Sequence, residues 1–104
     1  QIKVLKKLGI KYIEFHTGRY ASALNESDIE LHFQELKQAI EFSDQIGFNC
    51  HAGHGLDFKN VSKIASIKQI KELNIGHFLI GESIFSGFQD TILKMRELID
   101  VARL

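Results

Sequence analysis

At 104 residues, with 13 basic against 13 acidic side chains, the chain holds one domain at most and carries no net charge. That balance excludes a basic field for nucleic acid or for an anionic membrane surface, so a phosphorylated ligand would have to be held by local groups. The composition, 44% hydrophobic and 25% charged, is that of a soluble globular protein. The single cysteine, Cys50, rules out an internal disulfide and fits a reducing, cytoplasmic compartment. No apolar run approaches the length of a membrane span, and no signal-peptide pattern is visible.

Ile2, Val4, Leu5 and Leu8 have helical spacing and predict a helix over residues 1–8, with Gly9 as its C′ residue. The chain opens inside this stretch with no methionine and no helix start signal, as expected of a fragment. Residues 11–15 are short, β-branched and aromatic, which predicts a strand, and residues 16–25 read as a loop. Ser27 and Glu30 form a capping box, with Ser27 at the N-cap. Ile29, Phe33, Leu36 and Ile40 then keep one apolar face as far as Ile46, and Gly47 ends the helix.

A second strand is predicted at 48–52, a loop at 53–56, a short helix at 60–66 carrying Val61, Ile64 and Ala65, and a third strand at 72–75. A helix over 77–85 opens directly after Gly76, and the last one, 89–103, places Ile92, Met95 and Ile99 on one side. Strands alternating with helices imply a parallel sheet with crossover connections. Three parallel strands leave two open edges, whereas a complete (β/α)₈ barrel needs about 250 residues. The extra short helix after the third strand has the place of the phosphate-binding helix after the last strand of many barrels. The expected fold is therefore α/β, the C-terminal part of a (β/α)₈ TIM barrel at about strands six to eight.

Side chains alternate along a strand. Ile13 and Phe15 share one face of the first strand, with Tyr12, Glu14 and His16 on the other. Phe48, Cys50 and Ala52 oppose Asn49, His51 and Gly53, while Leu73 and Ile75 oppose Asn74 and Gly76. Each strand thus has an apolar face for helices and a polar or small face for a site. The plainer alternative is an antiparallel sheet with one wetted face, which the helix–strand alternation disfavours.

Glu14 is the sharpest single residue, because a carboxylate pointing inward is costly unless paired or used, and it can stabilise a cation or move protons. A structural ion pair with a base on another strand is the competing reading. His54 lies just past a strand end between Gly53 and Gly55, where backbone can approach a ligand closely and histidine suits proton transfer. The plainer alternative there is a loop histidine with a satisfied hydrogen bond. Gly76-His77 opens a helix whose free N–H groups form an anion site, or else makes only a tight turn. His51 and His54 match no strong metal-ligand spacing, so no metal is expected. His32 reads as a surface residue and Cys50 as a buried, inert thiol.

Three blocks carry a family resemblance: Tyr12-Ile13-Glu14-Phe15-His16-Thr17-Gly18-Arg19-Tyr20-Ala21, Asn49-Cys50-His51-Ala52-Gly53-His54-Gly55-Leu56, and Glu72-Leu73-Asn74-Ile75-Gly76-His77-Phe78-Leu79-Ile80-Gly81. In this order and spacing they resemble pyridoxine 5′-phosphate synthase, along essentially the whole chain. The resemblance implies a (β/α)₈ barrel that condenses 3-amino-2-oxopropyl phosphate with 1-deoxy-D-xylulose 5-phosphate. The products are pyridoxine 5′-phosphate, phosphate and water, in vitamin B6 biosynthesis. It implies His54 as proton donor, Glu14 as transition-state stabiliser, and Gly55, Gly76 and His77 as contacts to the aminoketone phosphate. It further implies no cofactor, small phosphorylated substrates as the partners, no nucleic acid or membrane, and a cytoplasmic homo-octamer. The family's catalytic base histidine, a second glutamate and the substrate-binding arginines belong to its N-terminal half. His51 departs from an asparagine expected in many members.

Two other functions compete. Another phosphate-binding barrel, an isomerase or aldolase, would want a Schiff-base lysine or an enediol base at a strand end, and no lysine holds an inward strand-end position. A small autonomous α/β binding module is the reading from a different class.

Overall fold

The computed structural model describes residues 2–104, so Gln1 of the predicted first helix lies outside it. The order is α1 (Ile2–Lys7), β1 (Tyr12–His16), α2 (Gly18–Ser22), α3 (Glu26–Gln45), β2 (Asn49–Gly53), α4 (Val61–Ala65), β3 (Ile70–Asn74), α5 (His77–Ser86) and α6 (Phe88–Ala102). The three strands form one parallel sheet in the order β1-β2-β3. The predicted helix–strand alternation is therefore present, and the strands pair in sequence order.

Hydrophobic periodicity located the helices because it also builds the core. Phe33 and Ile40 of α3 are buried, with Ile29 and Leu36 packed beside them, and Val61, Ile64 and Ala65 of α4 are fully buried. In α6 the buried face runs through Thr91 and Met95 with Leu98 and Ile99 against the core, while predicted Ile92 lies at its exposed edge. Cys50 and Ala52 of β2 meet these helices, and the Cys50 thiol lies 3.5 Å from the Ile40 carbonyl. Burial pushes that thiol up from its ordinary pKa, as does the nearby Asp44 charge, in keeping with an inert residue.

Three expectations are corrected. The stretch 16–25 holds the one-turn helix α2, which rests on tertiary contact: Tyr20 is buried and its hydroxyl donates to the Asn60 carbonyl at 2.7 Å. The N-cap of α3 is Asn25, whose Oδ1 accepts the Asp28 N–H at 2.9 Å, so Ser27 lies inside the helix. Glu30 does not reach back to the cap; its carboxylate takes Lys63 and Gln34 instead. Finally, β3 begins at Ile70, two residues early. The pairing shifts between Cys50↔Ile70 and His51↔Glu72, leaving Lys71 as an extra bulged residue. Ile70 and Leu73 thereby share the apolar face despite a spacing of three, which hid the start of the strand from an alternation test.

The opposite face is polar along its length. Tyr12, Glu14 and His16 of β1, Asn49 of β2, and Glu72 and Asn74 of β3 are exposed, with His51 half-buried. Tyr12 stacks on His51, ring centroids 5.2 Å apart. This is the division of faces that strand alternation predicted.

Candidate active site

The polar face ends at the carboxyl edge of the sheet in a cleft of about 480 Å³ lined by Glu14, His16, His54, Gly55, Asn74 and His77, among others. Four of the five candidate residues, Glu14, His54, Gly55 and His77, line this one space. The fifth, Gly76, caps α5 beside it.

Thr17 builds the left side of the site, at the join between β1 and the loop after β2. It is fully buried, its N–H donates to the Gly53 carbonyl at 2.8 Å, and its hydroxyl lies 2.8 Å from Gly53 O and 2.6 Å from His54 O. With the hydroxyl so engaged, Thr17 gives α2 no side-chain cap. His54 itself has φ +90°, the one non-glycine residue with positive φ among those described. Such a conformation costs on the order of 1–3 kcal/mol and persists only where its surroundings impose it. Here the Thr17 hydroxyl and a ring stack impose it: His16 and His54 lie 4.0 Å apart between centroids. His16 is in turn oriented by the Gly18 N–H, which donates to its Nδ1 at 3.3 Å. A Cβ at Gly18 would meet His16 Cε1 at 2.6 Å and His54 Cδ2 at 3.1 Å, so a side chain there would displace the two rings.

The loop beyond His54 is pinned by reciprocal side-chain bonds. Asp57 accepts from the Lys59 and Asn60 N–H groups, and Asn60 Oδ1 accepts the Asp57 N–H. Asn60 also donates to the Gly55 carbonyl at 3.1 Å. Gly55 has φ +77°, and a Cβ there would press on Ala21 at 2.8 Å, so its backbone borders the cleft with no side chain in the way.

On the right side α5 starts at His77 with Gly76 as cap, and among the described residues no side chain caps its first N–H groups. The first helical bond runs from Ile80 N to Gly76 O, so the amides of the opening turn face outward without an intrahelical acceptor. Gly76 has open space around its Cα and an ordinary negative φ. An edge-on pair, Phe58 and Phe78 at 4.7 Å, ties the β2 loop to this helix start.

Glu14 is exposed, and its carboxylate accepts a short hydrogen bond from the Asn74 side-chain amide. The ion pairs among the described residues are His32–Glu35, Lys63–Glu30 and Arg96–Asp100, none of which involves Glu14. Among the described residues no three His, Cys, Asp or Glu side chains converge in a way that could hold a metal ion.

Residue-by-residue reading missed His16, Thr17, Gly18 and Asn74 as members of the site. Their signal was present for Asn74 and His16, which alternation put on the polar face with Glu14. No local pattern marks Thr17, whose partners are 36 and 37 residues away.

Parallel α/β sheets bind ligands outside the carboxyl ends of their strands, and Glu14, His54 and the opening of α5 gather at that edge here. The chain belongs to the PdxJ family: the family model described as "Pyridoxal phosphate biosynthesis protein PdxJ" matches residues 1–101. It is 46% identical over 103 residues to the pyridoxine 5′-phosphate synthase of Zymomonas mobilis, covering 99% of this chain and 40% of that protein. Its identity to the proteins of the same name from Roseobacter denitrificans and Sulfurihydrogenibium is 43% over 106 and 42% over 103 residues, again 99% of this chain and 43% and 42% of theirs. The chain thus spans about two fifths of the length of these relatives.

Proposed function

We propose that these residues form the C-terminal part, about strands six to eight, of a (β/α)₈ barrel that acts as pyridoxine 5′-phosphate synthase. The barrel reading is supported by the polar sheet face, which would line the interior, and by α5, whose Ile80, Ile84 and Phe85 are 69%, 78% and 88% exposed. A helix this apolar is ordinarily covered, which counts against a module that folds alone. The observation that carries the functional reading is the convergence of Glu14, His54, Gly55 and His77 on one cleft. Those positions come from three different segments, and they are the ones the family resemblance selected.

In this reading the enzyme joins the amine of 3-amino-2-oxopropyl phosphate to the ketone of 1-deoxy-D-xylulose 5-phosphate. The nitrogen gains cationic character as the imine forms, and the Glu14 carboxylate opposes that charge. Phosphate and water leave as oxygens that need protons, and His54 donates one to a departing oxygen. The amides of Gly55, Gly76 and His77 hold the aminoketone phosphate, using the free N–H groups and dipole of α5. Holding both phosphorylated substrates together supplies much of the remaining acceleration. The same reading makes the enzyme a cytoplasmic homo-octamer working without a metal or organic cofactor.

A synthase of full family length carrying these residues is expected to convert the two substrates to pyridoxine 5′-phosphate with release of phosphate, followed by product absorbance and a phosphate assay. No product under conditions where a known synthase turns over would refute the reading. The anion site has its own test. Phosphate or product soaked into crystals of that enzyme is expected to occupy the amides of Gly55, Gly76 and His77. Density for the anion elsewhere, with this corner empty at saturation, would remove these three residues from the site.

A further inference from the structure

The hydrogen bond between Asn74 and Glu14 is geometrically unusual. In the sheet order β1-β2-β3 the two residues stand on strands that are not neighbours. Adjacent strands are about 4.8 Å apart, so β1 and β3 are separated by nearly 10 Å at the backbone. In register, Asn74 lies opposite Gly53, which lies opposite His16, and Glu14 is one step back on the same face opposite His51. The amide therefore reaches over β2 to bond the carboxylate.

What allows the reach is the residue underneath. Gly53 is buried, and a Cβ there would stand 2.7 Å from the Asn74 carbonyl oxygen and 3.0 Å from Asn74 Cβ. Real side chains do not approach that closely. A side chain at residue 53 would press on Asn74 and push β3 away. Glycine at this point of β2 lets the outer strands communicate across the middle one.

The chemistry of the pair fits a positioning task. A primary amide is neutral, so it fixes a carboxylate without neutralising it as lysine or arginine would. One oxygen lone pair is taken, and the other sites of the carboxylate stay free for a substrate. Asn74 also lies three residues before His77, so the element that orients Glu14 leads directly into the start of α5.

We propose that Asn74 is a positioning residue that, reaching across β2 over Gly53, holds the Glu14 carboxylate in the orientation the reaction uses. This rests on the reading of Glu14 as the group that opposes the developing cation. Asn74 does not itself touch reacting atoms. It acts through Glu14, and misplacing a reacting group by about 1 Å can cost about 100-fold in rate.

The test is made in a synthase of full family length carrying these residues. Asn74→Leu keeps size and shape but removes the donor. It is expected to lower kcat about 10- to 100-fold while KM for both substrates changes little, the pattern of an interaction used in the transition state. Asn74→Gln keeps the amide on a stem one methylene longer and is expected to recover part of that loss. If the leucine variant does not fold, Asn74→Ser, too short to reach across the strand, carries the same expectation. Glu14→Gln is measured alongside. Adding Asn74→Leu to it is expected to lower kcat no further, because the amide acts only through the carboxylate. An Asn74→Leu enzyme with normal kcat beside an impaired Glu14→Gln enzyme would overturn the proposal, as would losses that multiply in the double variant. Near-normal kcat in Glu14→Gln itself would instead strike down the reading of Glu14.

Discussion

Replacing His54 with asparagine in a synthase of full family length is expected to lower kcat by about 10²–10⁴-fold, the scale of a lost general acid. Thermal stability is expected to change little. His54 has φ +90°, and asparagine is among the few non-glycine residues that tolerate positive φ. The variant therefore suits the backbone of the loop while removing the proton donor together with its ring stack on His16. Binding of the aminoketone phosphate should also hold, since backbone amides at Gly55, Gly76 and His77 are proposed to carry it. Steady-state kinetics with a melting curve decide the matter. A near-normal kcat would remove His54 from the chemistry, and a large rise in KM with kcat intact would make it a binding residue instead. The stack with His16 would be lost in the same variant, so a His16→Asn enzyme is the natural control: it breaks the stack and leaves the donor in place.

Thr17→Val is expected to destabilise the fold by about 0.5–1.5 kcal/mol, the net worth of a lost hydrogen bond whose part-buried acceptor can turn to water. For a domain of 150–250 residues this reads as a melting temperature lower by about 2–4 °C per kcal/mol. Valine matches threonine in shape, so packing is not the cause. The Gly53 carbonyl retains the Thr17 N–H, but the His54 carbonyl loses the hydroxyl at 2.6 Å. That hydroxyl helps hold His54 in its strained conformation, so kcat is expected to fall together with stability. Thr17→Ser keeps the hydroxyl and is expected to retain both. A Thr17→Val enzyme with unchanged melting temperature and rate would mean that the ring stack alone fixes His54.

Much of this architecture follows from patterns that are local in the chain. Helix positions follow from apolar spacing, as in Phe33 and Ile40 of α3 or Val61 and Ile64 of α4, because the stripe that makes the pattern is the stripe that is buried. The polar face of the sheet follows from alternation, since successive side chains must point to opposite sides. Glu14 and His54 could be selected from their own strand positions and neighbours. Glycines at 55 and 76 could be selected from the chemistry of backbone approach.

Tertiary structure decided what depends on distant partners. Whether residues 18–22 form a helix was settled by Tyr20 burying against a carbonyl 40 residues away, since one isolated turn has too little hydrogen bonding to nucleate itself. The start of β3 was settled by pairing with β2, where a bulge at Lys71 restores the apolar face that alternation had lost. The N-cap of α3 is Asn25 rather than the predicted Ser27, because the Asn25 side chain is the one that accepts the Asp28 N–H. Thr17, His16 and Asn74 joined the site only because β1, β2 and β3 lie side by side: each acts on a residue brought close by the sheet rather than by sequence. Polar side chains carry no periodicity that names their partners, and a hydrogen bond of 2.6 Å across 37 residues exists only once the backbone has placed both ends.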